Sequence, residues 1–137
     1  MSEPESLTLH LWTDGCNSGY GVVIKDEKGK TLRELAGAAP IDALDYSETE
    51  YMAVILGLRE ARQLGATAVC VHSDSLFLVD QMAGGSKVKS PRMVKPNAEA
   101  VAASEGLETE FVHISGESNG DADRLSRALP RIQPPSQ

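Results

Sequence analysis

The residues in this chain whose types and spacing could do chemistry are acidic: Asp14, Glu50, Asp74 and one of the pair Asp121 and Asp123. Singly, each has an ordinary structural explanation. Asp14 stands in Thr13-Asp14-Gly15, where an Asp-Gly step commonly makes a turn. The continuation CNSGYGVVI carries glycines that let a backbone approach something closely. Glu50 shares a 3.6-residue stripe with Val54, Gly57, Leu58 and Ala61, so a carboxylate in the first turn of a helix points toward the core. A charge that merely suits a helix N-terminus would need no inward direction. Its neighbour Glu48 falls nearer Arg59 and is expected in solvent. Asp74 lies between a strand-like and a helix-like segment, a position that suits an N-cap or, at a strand's C-terminal end, a site. Asn119 and Asp123, four apart, share one face at the start of a last helix. The apolar stripe Ala122, Leu125 and Leu129 does not choose between Asp121 and Asp123.

Gathering four such carboxylates without a cation would be costly through like-charge repulsion. A divalent metal removes that cost, and an oxygen-only ligand set suits Mg²⁺ or Mn²⁺ better than zinc.

The elements that must position these residues follow from periodicity. Leu7, Leu9 and Leu11 alternate with Thr8, His10 and Trp12, a period-two strand that runs into Asp14. GYGVVIKD is expected as a second strand, KGK as a turn and TLRELAGAA as a third strand. A helix spans Ser47 to Leu64, with Gly65 as its C-terminal cap. TAVCVHS forms a strand and SLFLVDQM a short helix. A further helix runs from about Val94 to Ser104, ETEFVHIS forms the last strand, and a last helix covers Asp121 to Leu129. The order β-β-β-α-β-α-α-β-α predicts an α/β fold: a mixed five-stranded sheet with helices on both faces.

Composition limits the rest. With 137 residues, 41% of them hydrophobic, the chain suits one domain around one core. That domain is expected over residues 7–129, between loose termini at 1–6 and at the Pro-rich 130–137. There is neither an apolar run long enough to span a membrane nor a signal-like start, so a cytoplasmic protein without membrane contact is expected. Nothing indicates an oligomer, and a monomer is the default. Cys16 and Cys70 lack partners at zinc-like spacing and are expected as free thiols, with Cys70 buried. His10 and His72 alternate out of strands and are expected to be structural. A net charge of −7 argues against coating nucleic acid by bulk attraction. Any such contact must be local, and Lys87, Lys89, Arg92 and Lys95 supply the most basic stretch. It is either a substrate contact or a solvated loop. No aromatic is interleaved with these cations, which argues against base stacking.

The ordered set TDG, GYGVVI, SETEYMAVILGL, HSDSLFLVDQM and NGDADRL resembles the type 1 ribonuclease H family, and within it the short archaeal and bacterial branch. The resemblance runs from about Leu7 to Leu129. It implies the ribonuclease H-like fold and an Asp-Glu-Asp-Asp metal site carried onto Asp14, Glu50, Asp74 and Asp123. The family's Asn-x-x-Ala-Asp-x-Leu pattern selects Asp123 over Asp121. It further implies an endonuclease that hydrolyses the RNA strand of RNA/DNA hybrids with two Mg²⁺ or Mn²⁺ ions, leaving a 5′-phosphate and a 3′-hydroxyl. By the same resemblance Gly15, Cys16, Asn17 and Asn119 read the 2′-hydroxyl, and Lys87, Lys89 and Arg92 contact substrate.

Three departures from the family pattern stand out. The loop between the first two strands is shortened to CNSGYG, which reduces the minor-groove surface. Asp45-Tyr46-Ser47 replaces the usual Thr-Asn-Asn before the catalytic Glu, and Asp45 would repel a DNA phosphate. The histidine many members carry on the loop before the last Asp is missing; His113 falls on a strand and Glu117 on the loop, and these two are the candidates for a proton shuttle. Two rivals to hybrid cleavage follow: a nuclease of the same fold acting on double-stranded RNA or DNA junctions, and a non-catalytic hybrid-binding module.

Overall fold

A computed structural model describes residues 5–39, 46–84, 88 and 90–128. Three strands, β1 (Thr8–Gly15), β2 (Gly19–Lys25) and β3 (Thr31–Ala38), are followed by helix α1 (Tyr46–Gln63) and strand β4 (Ala68–Ser73). Helices α2 (Leu76–Met82) and α3 (Pro91–Ser104), strand β5 (Glu108–His113), a 3₁₀ turn (Gly116–Asn119) and helix α4 (Gly120–Ser126) complete the order. The sheet runs β3-β2-β1-β4-β5. The first three strands form an antiparallel meander, while β4 pairs parallel to both β1 and β5. This is the expected mixed five-stranded sheet, with β1 at its centre.

Strand alternation sorts the side chains between two faces. Leu9, Leu11, Val22, Ile24, Val69 and Val71 join Tyr51, Val54, Leu58 and Ala61 of α1 in one buried core. At about 1.5–3 kcal/mol for each large side chain removed from water, this layer is the main source of stability. The opposite face receives α4, which packs on β2, β1 and β3. Helices therefore cover both faces, as expected.

The end of α1 shows how local sequence sets a boundary. Gly65 takes φ of 95°, its N–H reaches the Arg62 carbonyl, and the N–H of Ala66 reaches the Ala61 carbonyl. This paired closure satisfies carbonyls left over at the helix end and requires the left-handed residue that glycine supplies.

Several expectations are corrected. Helix α3 starts at Pro91, three residues before Val94, because Pro at the first helical position sacrifices no needed N–H. Helix α4 begins at Gly120, one residue before Asp121, and it ends at Ser126; Leu129 lies outside the described residues. Cys70 is half-buried rather than buried. Its strand gives Val69, Val71 and Ser73 to the α1 side, so Cys70 and His72 face the other way, beside the strands on which α4 sits. Both cysteines are free thiols, as expected. Asp45, Lys87, Lys89 and the terminal segments 1–4 and 129–137 lie outside the described residues. No helix among the described residues is long and apolar enough to cross a membrane.

Candidate active site

The acidic residues meet where two helices are allowed unusually close to the sheet. A Cβ on Gly15 would stand 2.6 Å from the backbone N of Glu50 and from the carbonyl carbon of Thr49. Only glycine lets the first turns of α1 press on the end of β1. A Cβ on Gly21 would stand 2.3 Å from the Ala122 carbonyl oxygen, so β2 likewise gives up a side chain to seat α4. Two of the three glycines of TDGCNSGYG, Gly15 and Gly21, thus serve helix–sheet approach, one for each face.

The result is a carboxylate cluster. One oxygen each from Asp14, Glu50 and Asp74 lies within 4.8 Å of the other two. Asp123 joins through a hydrogen bond with Asp14, and the Ser126 hydroxyl bridges Asp14 Oδ2 at 3.2 Å and the Asp123 carbonyl at 2.7 Å. Asp14 is 7% exposed. Burial, then the charge of Asp74, then Asp123 push its pKa up to about 7. A carboxyl this buried, with Asp74 and Asp123 beside it, holds its proton near neutrality because loss of water and like charge both disfavour the ionised form.

These four residues line one cleft of about 400 Å³ with Gly15, Cys16, Asn17, Ser18 and Arg127. Burial pushes the Cys16 thiol up, but hydrogen bonds from the Ser18 hydroxyl and from the backbone of Ser18 and Gly19 outweigh it and leave the thiol below its ordinary value. Its Sγ stands 3.2 Å from Ser18 Oγ and 3.4 Å from the Ser126 carbonyl.

Asp74 is not the cap of the following helix. Ser75 fills that place, its hydroxyl accepting from the Leu78 N–H. The Asp74 carboxylate instead faces the turn after β5: Oδ2 would lie 3.5 Å from a Cβ on Gly116. Glu117 follows Gly116 on that turn and is exposed, and His113 is exposed at the end of β5. Neither lines the carboxylate cleft.

Asn119 is placed elsewhere than in the cleft wall. It is 1% exposed, its amide donates to the Thr13 carbonyl at 2.9 Å, and its Oδ1 has no hydrogen-bond partner among the described residues. It ties the start of α4 to the residue preceding Asp14. It also borders a neighbouring hollow with Trp12, Lys25, Glu117 and Asp121.

Sequence reasoning missed three neighbours. Glu48, expected in solvent beside Arg59, pairs with Arg92 of α3. This links the one described residue of the substrate-contact group Lys87, Lys89 and Arg92 to the turn of α1 that carries Glu50. Arg127 pairs with Asp123 at 3.0 Å in an i,i+4 arrangement, a spacing visible in the sequence. Ser126, three residues after Asp123, offered the weaker signal of a polar residue on the same helix face.

The match with known proteins follows this geometry. Residues 13–129 fit the family model described as reverse transcriptase-like. The bifunctional protein Rv2228c of Mycobacterium tuberculosis is 34% identical over 110 residues. That stretch covers 80% of this chain but only 30% of the relative, so the chain spans less than a third of that protein's length. The N-terminal ribonuclease H domain of the same M. tuberculosis protein, solved as a fusion with maltose-binding protein, superposes with a TM-score of 0.83 at 31% identity, covering 90% of this chain and 93% of that one. LC11 ribonuclease H1, isolated from compost and solved in complex with an RNA/DNA hybrid, superposes with a TM-score of 0.75 at 30% identity, over 88% of this chain and 93% of that one. With most of its length matched by both sequence and structure, the chain belongs to the reverse transcriptase-like family of ribonuclease H domains.

Proposed function

We propose that this protein is a divalent-metal-dependent endonuclease that hydrolyses the RNA strand of RNA/DNA hybrids, leaving a 5′-phosphate and a 3′-hydroxyl. The observation that carries the reading is the carboxylate cluster itself: Asp14, Glu50 and Asp74 come from three different elements to within 4.8 Å. Asp123 completes it through Asp14. The hybrid bound to LC11 ribonuclease H1 supports the choice of substrate.

The residues fit a bound cation on their own chemistry. Every donor is a carboxylate oxygen, which suits Mg²⁺ or Mn²⁺, and the pKa of Asp14 is raised first by burial and then by the charges of Asp74 and Asp123, which a cation would offset. When bound, two such ions supply an activated water and stabilise the departing 3′ oxygen. Asp14, Glu50, Asp74 and Asp123 would hold them. Asp14 would have to give up its proton to serve as a ligand. The exposed Arg127–Asp123 pair is the kind that contributes little to stability and yields to a competing charge. Gly15, Cys16 and Asn17 line the same cleft and would face the 2′-hydroxyl that distinguishes RNA. Glu117, which follows Gly116 on the turn facing Asp74, and His113 at the end of β5 would be the candidates to accept or return a proton. Lys87, Lys89 and Arg92 would contact the hybrid's backbone.

The deciding experiment offers purified protein, with Mg²⁺ or Mn²⁺, an RNA/DNA hybrid, double-stranded RNA, duplex DNA and a DNA junction. Cleavage of the RNA strand of the hybrid is expected. Cutting of junctions or double-stranded RNA without the hybrid would sink the reading, and binding of hybrid without cutting would make the chain a recognition module.

A further inference from the structure

On the face of the sheet that carries α4 there is a second group of ligating side chains, chemically unlike the first. In the parallel β1–β4 ladder His10 stands opposite Cys70, and Trp12 opposite His72. One donor atom each from His10, Cys70 and His72 lies within 4.8 Å of the other two, and all three residues are half-buried. We propose that His10, Cys70 and His72 form a binding site for a late first-row divalent ion, Zn²⁺ foremost, separate from the carboxylate cleft.

Three observations carry this. First, His10 Nδ1 and His72 Nε2 are 3.3 Å apart. That is long for an N–H···N hydrogen bond. Two nitrogens each about 2.0–2.1 Å from one tetrahedral zinc ion stand roughly 3.3–3.4 Å apart. The imidazole pair therefore already has the separation the ion would impose.

Second, the other nitrogen of His10 is taken. Nε2 lies 3.3 Å from Glu27 Oε2, so the carboxylate favours the tautomer with its proton on Nε2 and a free lone pair on Nδ1, facing His72. A carboxylate that fixes the far side of a ligating imidazole is the usual support of a histidine metal site.

Third, the ring of His72 is held in place. It stacks on Trp12 with centroids 4.4 Å apart and planes 6° from parallel. Lys25 Nζ sits 5.2 Å from the centre of the same indole. A stacked ring has little freedom to turn its Nε2 away from its partners.

Two imidazoles and a thiolate form a softer donor set than the carboxylates, and they favour Zn²⁺ over Mg²⁺. Cys70 Sγ would lose its proton to solvent and close the remaining gap by a rotamer adjustment, leaving the fourth position to water. Such an ion would join β1 to β4, the strands leading to Asp14 and Asp74. The binding stabilises the native chain only, so the melting temperature should rise with Zn²⁺.

The test uses the whole chain, metal-free, in excess Mg²⁺ to saturate the carboxylates, and titrates Co²⁺ as the spectroscopic stand-in for zinc. One equivalent is expected to produce a thiolate-to-cobalt charge-transfer band and to quench the single tryptophan. Zn²⁺ should displace it. Cys70→Ser should abolish the band and Cys16→Ser should leave it intact. Glu27→Ala, at an exposed position that does not endanger folding, should weaken Co²⁺ binding about tenfold. No band in the wild-type chain, a band that survives Cys70→Ser, or unchanged affinity in Glu27→Ala would each overturn the proposal. None of these readouts depends on nuclease activity.

Discussion

The β1–β4 ladder carries on one side the histidine–cysteine group and leads at its end to two of the four clustered carboxylates, and the two groups differ in ways a single strand pair makes plain. His10 and Cys70 occupy one rung, Trp12 and His72 the next on that side, and Asp14 and Asp74 lie at the end. Four residues separate His10 from Asp14, about 13 Å of strand. At the near rung the donors include two imidazoles that lie 3.3 Å apart, nitrogen to nitrogen. At the far end they are like charges, held together by α1 and α4 pressing in where glycines make room. A donor group that is content without an ion needs no such compression; one that is not must be assembled by the packing of the fold. That contrast sets four expectations.

The largest separates the groups by activity. Asp74→Asn should remove hybrid cleavage in Mg²⁺ by more than the 10–100-fold that loss of an outer-shell partner costs, while leaving the fold intact. Cys70→Ser should leave cleavage within about twofold, since no oxygen ligand is touched. Equal losses in the two variants, measured as initial rates on a labelled hybrid, would erase the distinction.

The second concerns compression. Gly21→Ala places a methyl 2.3 Å from the Ala122 carbonyl. Backbone must move against backbone, so a destabilisation near the upper end of the overpacking range, about 3 kcal/mol, is expected in urea melts. Co²⁺ binding by the surviving folded fraction should be retained, because α4 contributes nothing to the histidine–cysteine group.

How much of this was legible in the sequence varies by residue. Glu50 could be placed because helical periodicity fixes direction within one element. The glycines after Asp14 announced a close approach but not what approached, since the partners, Thr49 and Ala122, are remote in the chain. Asp74 stayed open between cap and ligand until Ser75 was seen to take the cap. The start of α3 at Pro91 was available from the rule for proline at helix starts, but the basic run around it suggested a loop. The Glu48–Arg92 pair spans 44 positions and leaves no local mark. The grouping of His10 with Cys70 and His72 depends on the register of two strands 60 residues apart, which alternation alone cannot supply. Alternation did place Cys70 on a strand, but which side α4 would leave half-exposed is a property of the assembled sheet.

The third expectation is a dependence on pH. Asp14 has a pKa of about 7 in the native chain against an ordinary 3.8. Between those values the metal-free native state keeps a proton that the unfolded state has lost, so this residue makes stability fall as pH rises through the window and level off above it. In saturating Mn²⁺ this contribution to the slope disappears, since the metal-bound native state holds Asp14 deprotonated, as the unfolded state does across that window. Melting curves of wild type and Asp14→Asn at pH 5 and pH 8, with and without Mn²⁺, isolate the contribution; parallel pH slopes for the two proteins without metal would refute it.

The smallest effect tests whether the cleft's own cation competes with an added one. Arg127 Nε holds Asp123 Oδ1 at 3.0 Å, with both side chains substantially exposed. Its direct value to folding is small, because water and salt screen so exposed a pair. A metal drawn to Asp123 must first loosen that bond, so Arg127→Ala should leave the metal-free melting temperature nearly unchanged. It should lower the Mn²⁺ concentration for half-maximal stabilisation by about fivefold at most. The same variant loses a positive charge beside the carboxylates and should therefore bind hybrid less tightly, giving opposite shifts for the two ligands. Weaker Mn²⁺ binding in Arg127→Ala would mean that the arginine helps assemble the acidic group instead of competing for it. The carboxylate end of the ladder would then share with the histidine–cysteine rung a device for holding its donors ready before any ion arrives.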